Sequence, residues 1–217
     1  VSGDRLGLRE LIISFFVLVF SFAIFHFLYR LGLEILNLYV PKVLKEYYLL
    51  AGSLALSIVY LSSNKIIKPE EYGFTKEKKL KMLLYGLAGG LLLSFLNLPL
   101  GAIIRGGEWG KPTGFIGLDN KQIFYIPYIL LICIIFPIIE EVFYRGYAFN
   151  IIKNRYGFLV SIAVVSLCYG LIHLSPAAII YSVALTIIYE HSGCLGASIV
   201  SHAVMNITFY ITNSVFG

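Results

Sequence analysis

From Phe124 to Ile139 the chain runs sixteen residues without a charge, and six other stretches are almost as apolar. They fall at about 11–31, 44–63, 80–104, 157–174, 176–190 and 194–216, with 123–150 as the fourth in order. A stretch of about 20 apolar residues covers the ~30 Å hydrocarbon core as a helix. Inside lipid every backbone N–H and C=O must be satisfied within the segment, which leaves helices or closed barrels. No segment alternates apolar and polar residues along its length, so the expectation is all-α. The chain reads as a single transmembrane domain, 1–217, of about seven to eight membrane helices with one short or partly spanning segment.

Composition agrees. Only 13% of the 217 residues are charged and 59% are hydrophobic, whereas a soluble domain carries about twice that charge. The 16 Tyr and 16 Phe suit rings at bilayer interfaces. A formal charge of +5 does not imply a nucleic-acid partner, because Lys and Arg fall between the apolar spans. Cys133, Cys168 and Cys194 have no CxxC spacing and frame neither disulfides nor a zinc knuckle. Leu11 to Leu31 is too long for a signal-peptide core and lacks a small-residue cleavage site.

Orientation follows from the basic residues. With the N-terminus in the cytoplasm, that side holds Arg5, Arg9, Lys65, Lys68, Lys76, Lys78, Lys79, Lys81, Arg145, Lys153 and Arg155. The other side holds Arg30, Lys42, Lys45, Arg105, Lys111 and Lys121. The positive-inside rule favours a cytoplasmic N-terminus. The 64–79 loop reads as a basic linker lying on the lipid surface, and the Gly106–Asn120 loop, with the lone Trp109, as an external loop or interfacial flap. No internal repeat of the transporter kind is present, and nothing fixes an oligomeric state. Ser175-Pro176 opens the sixth segment as a cap followed by proline at the first helical position. At 15 residues, about 22 Å, that segment is expected to span only partly.

Three polar clusters break the last 80 residues. Glu140 and Glu141 end the uncharged run, and one ionised side chain at the bilayer centre costs at least ~2.5 kcal/mol. Glu141 and Arg145 are four apart, acid first, the favourable order for a helical pair. Glu140 is rotated by about 100° from Glu141, so one stripe cannot hold both. The spacing assigns Glu141 to Arg145 and turns Glu140, with Tyr144 on its stripe, to the bundle interior. Pro137 is expected to bend the helix just before them. Tyr169 and His173 are four apart in the fifth segment; Ser198, His202 and Asn206 are spaced by four in the seventh.

A free carboxylate, two imidazoles and an amide can form a His₂Glu zinc site or a metal-free general-base site. In the second case Glu140 activates water, His173 orients it, and His202 and Asn206 donate to the oxyanion. Nucleophilic catalysis is less suited. Cys168 lies about 140° round the helix from His173, and Ser198 lacks an orienting acid. Spans that end at 150 and begin at 157 put Glu140 and His202 about 12–15 Å from the cytoplasmic helix ends and His173 about 24 Å away. These three meet only if the fifth helix tilts or begins deeper than Gly157.

The order Glu140-Glu141-x-x-x-Arg145, Tyr169-x-x-x-His173, His202-x-x-x-Asn206 resembles the CPBP family of intramembrane proteases, which groups CAAX endopeptidases with bacteriocin-processing "Abi" enzymes. The likeness covers about 125–210, with Tyr72-Gly73-Phe74 loosely similar to the family's upstream region and Tyr169 where Phe is commoner. It implies an intramembrane endopeptidase acting on a membrane-associated peptide, such as a prenylated CAAX tail or a leader peptide, from a cavity open to the cytosol. Its catalytic core would be 123–216. Glu140, His173, His202 and Asn206 would be catalytic, with Glu141, Arg145, Tyr144 and Tyr169 supporting them. A metalloprotease variant would hold zinc on Glu140, His173 and His202. A catalytically silent immunity or scaffold member, and a proton-coupled transporter, are the alternative classes.

Overall fold

The computed structural model describes residues 3–36, 52–60, 78–104, 129–173 and 175–216, and among them every regular element is helical. In chain order these are α1 (Gly3–Leu36), α2 (52–60), α3 (Lys79–Ile104), α4 (129–156), α5 (Phe158–Ile172), α6 (Pro176–Ser192) and α7 (Leu195–Phe216). Each of the seven apolar segments thus contains a helix. Two are long and apolar enough to cross a membrane by length and composition, through Lys79–Leu96 and Leu195–Thr212, and Phe158–Ile172 is apolar but shorter. The loop at 106–120, residues 72–74 and all but the end of the 64–79 loop lie outside the described residues.

Beside a buried apolar cluster that includes Phe143, Phe149 and Tyr169, many apolar side chains face outward and several polar ones face inward. Leu80, Leu83, Leu84, Leu87, Leu91, Leu92 and Phe95 of α3 are exposed, as are Leu159, Leu167 and Leu171 of α5. Ser14, Ser57, Ser161, Ser182, Thr186, Ser198 and Ser201 are fully buried, together with Glu141 and Arg145. Such a distribution suits a lipid solvent, in which apolar surface gains nothing by hiding and helices associate through small and polar residues. Arg145 was counted above among the cytoplasmic cations; its burial removes it, leaving ten, and the asymmetry keeps its sign.

Small residues set the closest helix approaches. On α3, a Cβ added at Gly86 or Gly90 would stand 2.6 Å from the Cβ of Val200 or Val204 on α7. Ser201 Oγ, beside them, donates to the Gly86 carbonyl at 3.0 Å. Where α5 meets α6, a Cβ on Gly170 would stand 2.2 Å from Ile179 Cγ1. The α4–α5 turn is Gly157, with φ 81°, and the α6–α7 turn is Gly193, with φ 61°. Gly193 ends α6 as a left-handed C-cap, and Lys78 Nζ donates to its carbonyl at 2.7 Å.

The shortest complete helix of the carboxyl-terminal half is α5, with 15 residues, and not α6, which has 17. Pro176 does occupy the first turn of α6, and Ser175 is the extended N-cap, but its hydroxyl makes no capping bond.

Candidate active site

α4 is one continuous helix that changes its hydrogen-bond register four times. Leu131–Ile135 and Val142–Phe149 are wide π turns, and between them the six residues Phe136–Glu141 are α-helical. Such bulges inside helices are frequent at functional sites. The helix then continues to Tyr156, further than the boundary at 150 read from hydropathy. This continuation removes the depth mismatch. Glu140 lies 17 residues before Gly157 and His173 lies 16 after it, about 25 and 24 Å of helix. Antiparallel helices joined at Gly157 therefore bring them level, although α5 begins no deeper than Phe158.

The α6–α7 hairpin adds His202 from the other side. Lys153 of α4 pairs with Glu190 of α6, and the Asn150 amide donates to the Tyr189 hydroxyl at 2.9 Å. These contacts fix the level of the Gly193 turn, and His202 is nine residues beyond it.

The carboxylate of Glu140 sits between the two imidazoles. His173 Nε2 is 3.3 Å from Oε1 and His202 Nε2 is 3.8 Å from Oε2. The Tyr169 hydroxyl donates to Oε2 at 3.0 Å, whereas Oε1 is buried without a hydrogen-bond donor. Glu141 Oε1 accepts from Arg145 Nη1 at 2.8 Å and faces His202 Nδ1 at 3.0 Å. Arg145 Nη2 donates to the Ser182 carbonyl at 3.0 Å and its hydroxyl at 2.9 Å. The two glutamates are divided as helix geometry expects, with one qualification: His202 touches both.

Partner chemistry assigns the imidazole tautomers. His173 Nδ1 faces the Tyr169 carbonyl at 2.9 Å, and a carbonyl only accepts, so Nδ1 carries the proton. His202 Nδ1 faces a carboxylate that is ion-paired with Arg145, so it too is a donor. Both Nε2 atoms then turn toward Glu140. Two lone pairs against a carboxylate repel unless a proton lies among them. A proton on the Nε2 of either ring makes that nitrogen a donor aimed at Glu140, 3.3 Å away for His173 and 3.8 Å for His202.

Asn206 lines the same cavity as Glu140, His173 and His202, with one of its amide hydrogens already engaged. Its Nδ2 donates to the Ile132 carbonyl at 3.0 Å. In the π register that carbonyl would bond the N–H of residue 137, five residues on, and residue 137 is proline. Asn206 supplies the donor that Pro137 lacks, which leaves one amide N–H for anything in the cavity. Tyr144 is buried in the bundle interior, as its stripe predicts. It packs edge-on against Tyr169 with centroids 5.0 Å apart and lines a separate apolar cavity with α1 and Cys168. Ser198 Oγ is committed to the Leu195 carbonyl at 2.9 Å, so neither nucleophilic alternative has its side chain at the site.

Glu140, Tyr169, His173, His202 and Asn206 open on one cavity of about 280 Å³. Its remaining wall is mostly apolar and aromatic, including Phe136, Tyr181, Met205 and Phe209. Among the described residues no group of three or more His, Cys, Asp or Glu is arranged to hold a metal ion. The two imidazoles lie 3.3 and 3.8 Å from the Glu140 carboxylate. Ser182 was missed in the sequence; a serine and Thr186 spaced by four in a short apolar segment were the available signal. Tyr169 was expected to support the site, but the bond from its hydroxyl to Glu140 carried no signal in the sequence.

Residues 122–208 match the family model described as Rce1-like, type II CAAX prenyl endopeptidase Rce1-like. No curated protein and no solved structure matches the chain.

Proposed function

We propose, from the premise that the chain carries at residues 122–208 a domain of the Rce1-like type II CAAX prenyl endopeptidase family, that it hydrolyses a peptide bond within the membrane using Glu140 as general base. The observation that carries this reading is the Glu140 carboxylate held between His173 and His202 on a sunken cavity. Oε1, the oxygen without a donor, takes a proton from water beside His173. The resulting hydroxide attacks the scissile carbonyl carbon, and the carbonyl π pair moves onto oxygen. His202 Nε2–H and the second amide N–H of Asn206 stabilise that oxyanion. Collapse breaks the C–N bond, and the proton held by Glu140 passes to the leaving nitrogen, giving one acid and one amine.

The cavity lining runs from Ile129 to Tyr210, which supports 123–216 as the catalytic core. The substrate class is a membrane-associated peptide or a prenylated protein, reaching the cavity from a multi-pass bundle with its N-terminus in the cytoplasm.

The test uses the full chain in proteoliposomes with a prenylated, internally quenched CAAX peptide. Glu140→Ala and His173→Ala each abolish cleavage while keeping wild-type helicity and elution volume. Unchanged turnover in Glu140→Ala would sink the reading. Treatment with a chelator leaves activity in place; a loss restored by added zinc would overturn the metal-free base.

A further inference from the structure

Tyr169 meets the catalytic pair in three ways at once. Its hydroxyl donates to Glu140 Oε2 at 3.0 Å, its ring stacks on the His173 ring at 4.1 Å with 22° between planes, and its carbonyl fixes the His173 tautomer. Behind it, the Arg145 guanidinium lies 5.3 Å from the ring centroid, and Tyr144 abuts its edge. The ring is 3% exposed and walled on several sides, so it has little freedom to turn.

We infer that the Tyr169 hydroxyl is a positioning group for the reaction: by holding Oε2 of Glu140 it leaves Oε1 as the oxygen that takes the proton from water. The inference rests on the general-base reading above. A carboxylate at the end of a glutamate side chain rotates easily about its last torsion, whose energy wells are broad. Without a donor, the two oxygens exchange places between His173 and His202. With one, Oε2 is engaged on the His202 side and Oε1 stays 3.3 Å from His173 Nε2. Stacking and tautomer come from the ring and the backbone, so they survive loss of the hydroxyl. Phenylalanine therefore separates the positioning role from the packing role.

The experiment is Tyr169→Phe in proteoliposomes on the same quenched peptide, beside wild type and Glu140→Ala. The expected result is a kcat lower by roughly tenfold or more, the scale on which misplacing a reacting group acts, with KM within about twofold because the cavity wall is unchanged. Tyr169→Leu, which also removes the stack, loses more. In parallel, the Glu140 carboxylate stretch, identified in the infrared from the wild-type minus Glu140→Gln difference, shifts in Tyr169→Phe. An unchanged kcat or an unshifted band overturns the inference, as does a drop in kcat matched by a rise in KM. Should Tyr169→Phe lose helicity, 3-fluorotyrosine at 169 keeps the ring and changes only the donor strength; it must alter kcat. Full activity in Glu140→Ala removes the general-base reading itself, whatever Tyr169→Phe does to the band.

Discussion

Arginine 145 offers the sharpest test of how this bundle tolerates charge. It is fully buried and makes three bonds: one to Glu141 at 2.8 Å and two to Ser182, on its carbonyl and hydroxyl. Arg145→Met removes all three, and the lost attraction is the smaller part of the cost. Glu141 stays behind with no exposed surface, its Oε1 held only by His202 and its Oε2 without a donor. Breaking a buried pair from one side costs about 3–5 kcal/mol, and about 3 kcal/mol is roughly a 150-fold change in the folded fraction. Arg145→Lys recovers part of this, since an ammonium reaches either α4 or α6 but lacks the fork that serves both. Glu141→Gln is milder, because its amide oxygen still accepts from Arg145 and from His202. In the double variant Glu141→Gln, Arg145→Met no ion is left unpaired, so the two changes couple by at least about 2 kcal/mol. Unfolding by denaturant in mixed micelles, followed by helical circular dichroism, gives the four corners of the cycle. Additivity to within about 0.5 kcal/mol would refute the claim that the buried charges are held by each other.

Two further perturbations probe the helix contacts. Asn206→Ala leaves the Ile132 carbonyl without a donor at a cost of about 1–3 kcal/mol, and Pro137→Ala in the same chain restores it by returning an N–H at position 137. The double variant unfolding no later than Asn206→Ala alone would show that the amide serves something else. Gly90→Ala drives a Cβ to 2.6 Å from Val204 and 2.9 Å from the Ser201 carbonyl, an overpacking worth about 1–3 kcal/mol. Gly157→Ala meets nothing within 4 Å and costs only its left-handed backbone. Denaturation midpoints and cleavage rates distinguish them: Gly90→Ala lowers both by displacing α7 and His202, whereas Gly157→Ala lowers the midpoint alone. Equal loss of activity in the two would argue against α3 as the support of α7.

The helical class was legible because it follows from a single constraint, the satisfaction of backbone groups in lipid, acting on every apolar segment. The Glu141–Arg145 pairing was legible because both partners sit on one helix and spacing alone decides. What escaped depends on contacts between helices or on register. Hydropathy ends the fourth segment near Asn150, where charge begins, but hydrogen bonding carries α4 on to Tyr156, because Lys153 is paired with Glu190 on the neighbouring helix. Six residues of extra helix turned an apparent depth mismatch into a level pairing of Glu140 with His173. Asn206 was assigned from its four-residue spacing to His202, yet its amide is directed at Ile132 by a π turn that only the fold reveals. Ser182 carried no motif; its carbonyl matters because Arg145 reaches it across 37 positions of sequence.

The adjacency of the two glutamates has its own physical reason. An imidazole offers Nδ1 and Nε2 on two edges of one small ring, and His202 meets a carboxylate at each. Carboxylates four apart on a helix stack on one face about 6 Å apart, too regularly aligned to bracket a ring. Neighbouring positions differ by about 100° in direction and only about 1.5 Å in height, so their carboxylates can approach the same ring from two sides. Arg145 then completes the division of labour, pairing with the glutamate that fixes the ring and leaving the other open to the cavity. Glu141 is thus more than a brace for Arg145: it decides which nitrogen of His202 faces Glu140. A change at Glu141 that keeps the acceptor, such as Glu141→Gln, preserves that choice, whereas Glu141→Ala releases the ring even where the bundle still folds.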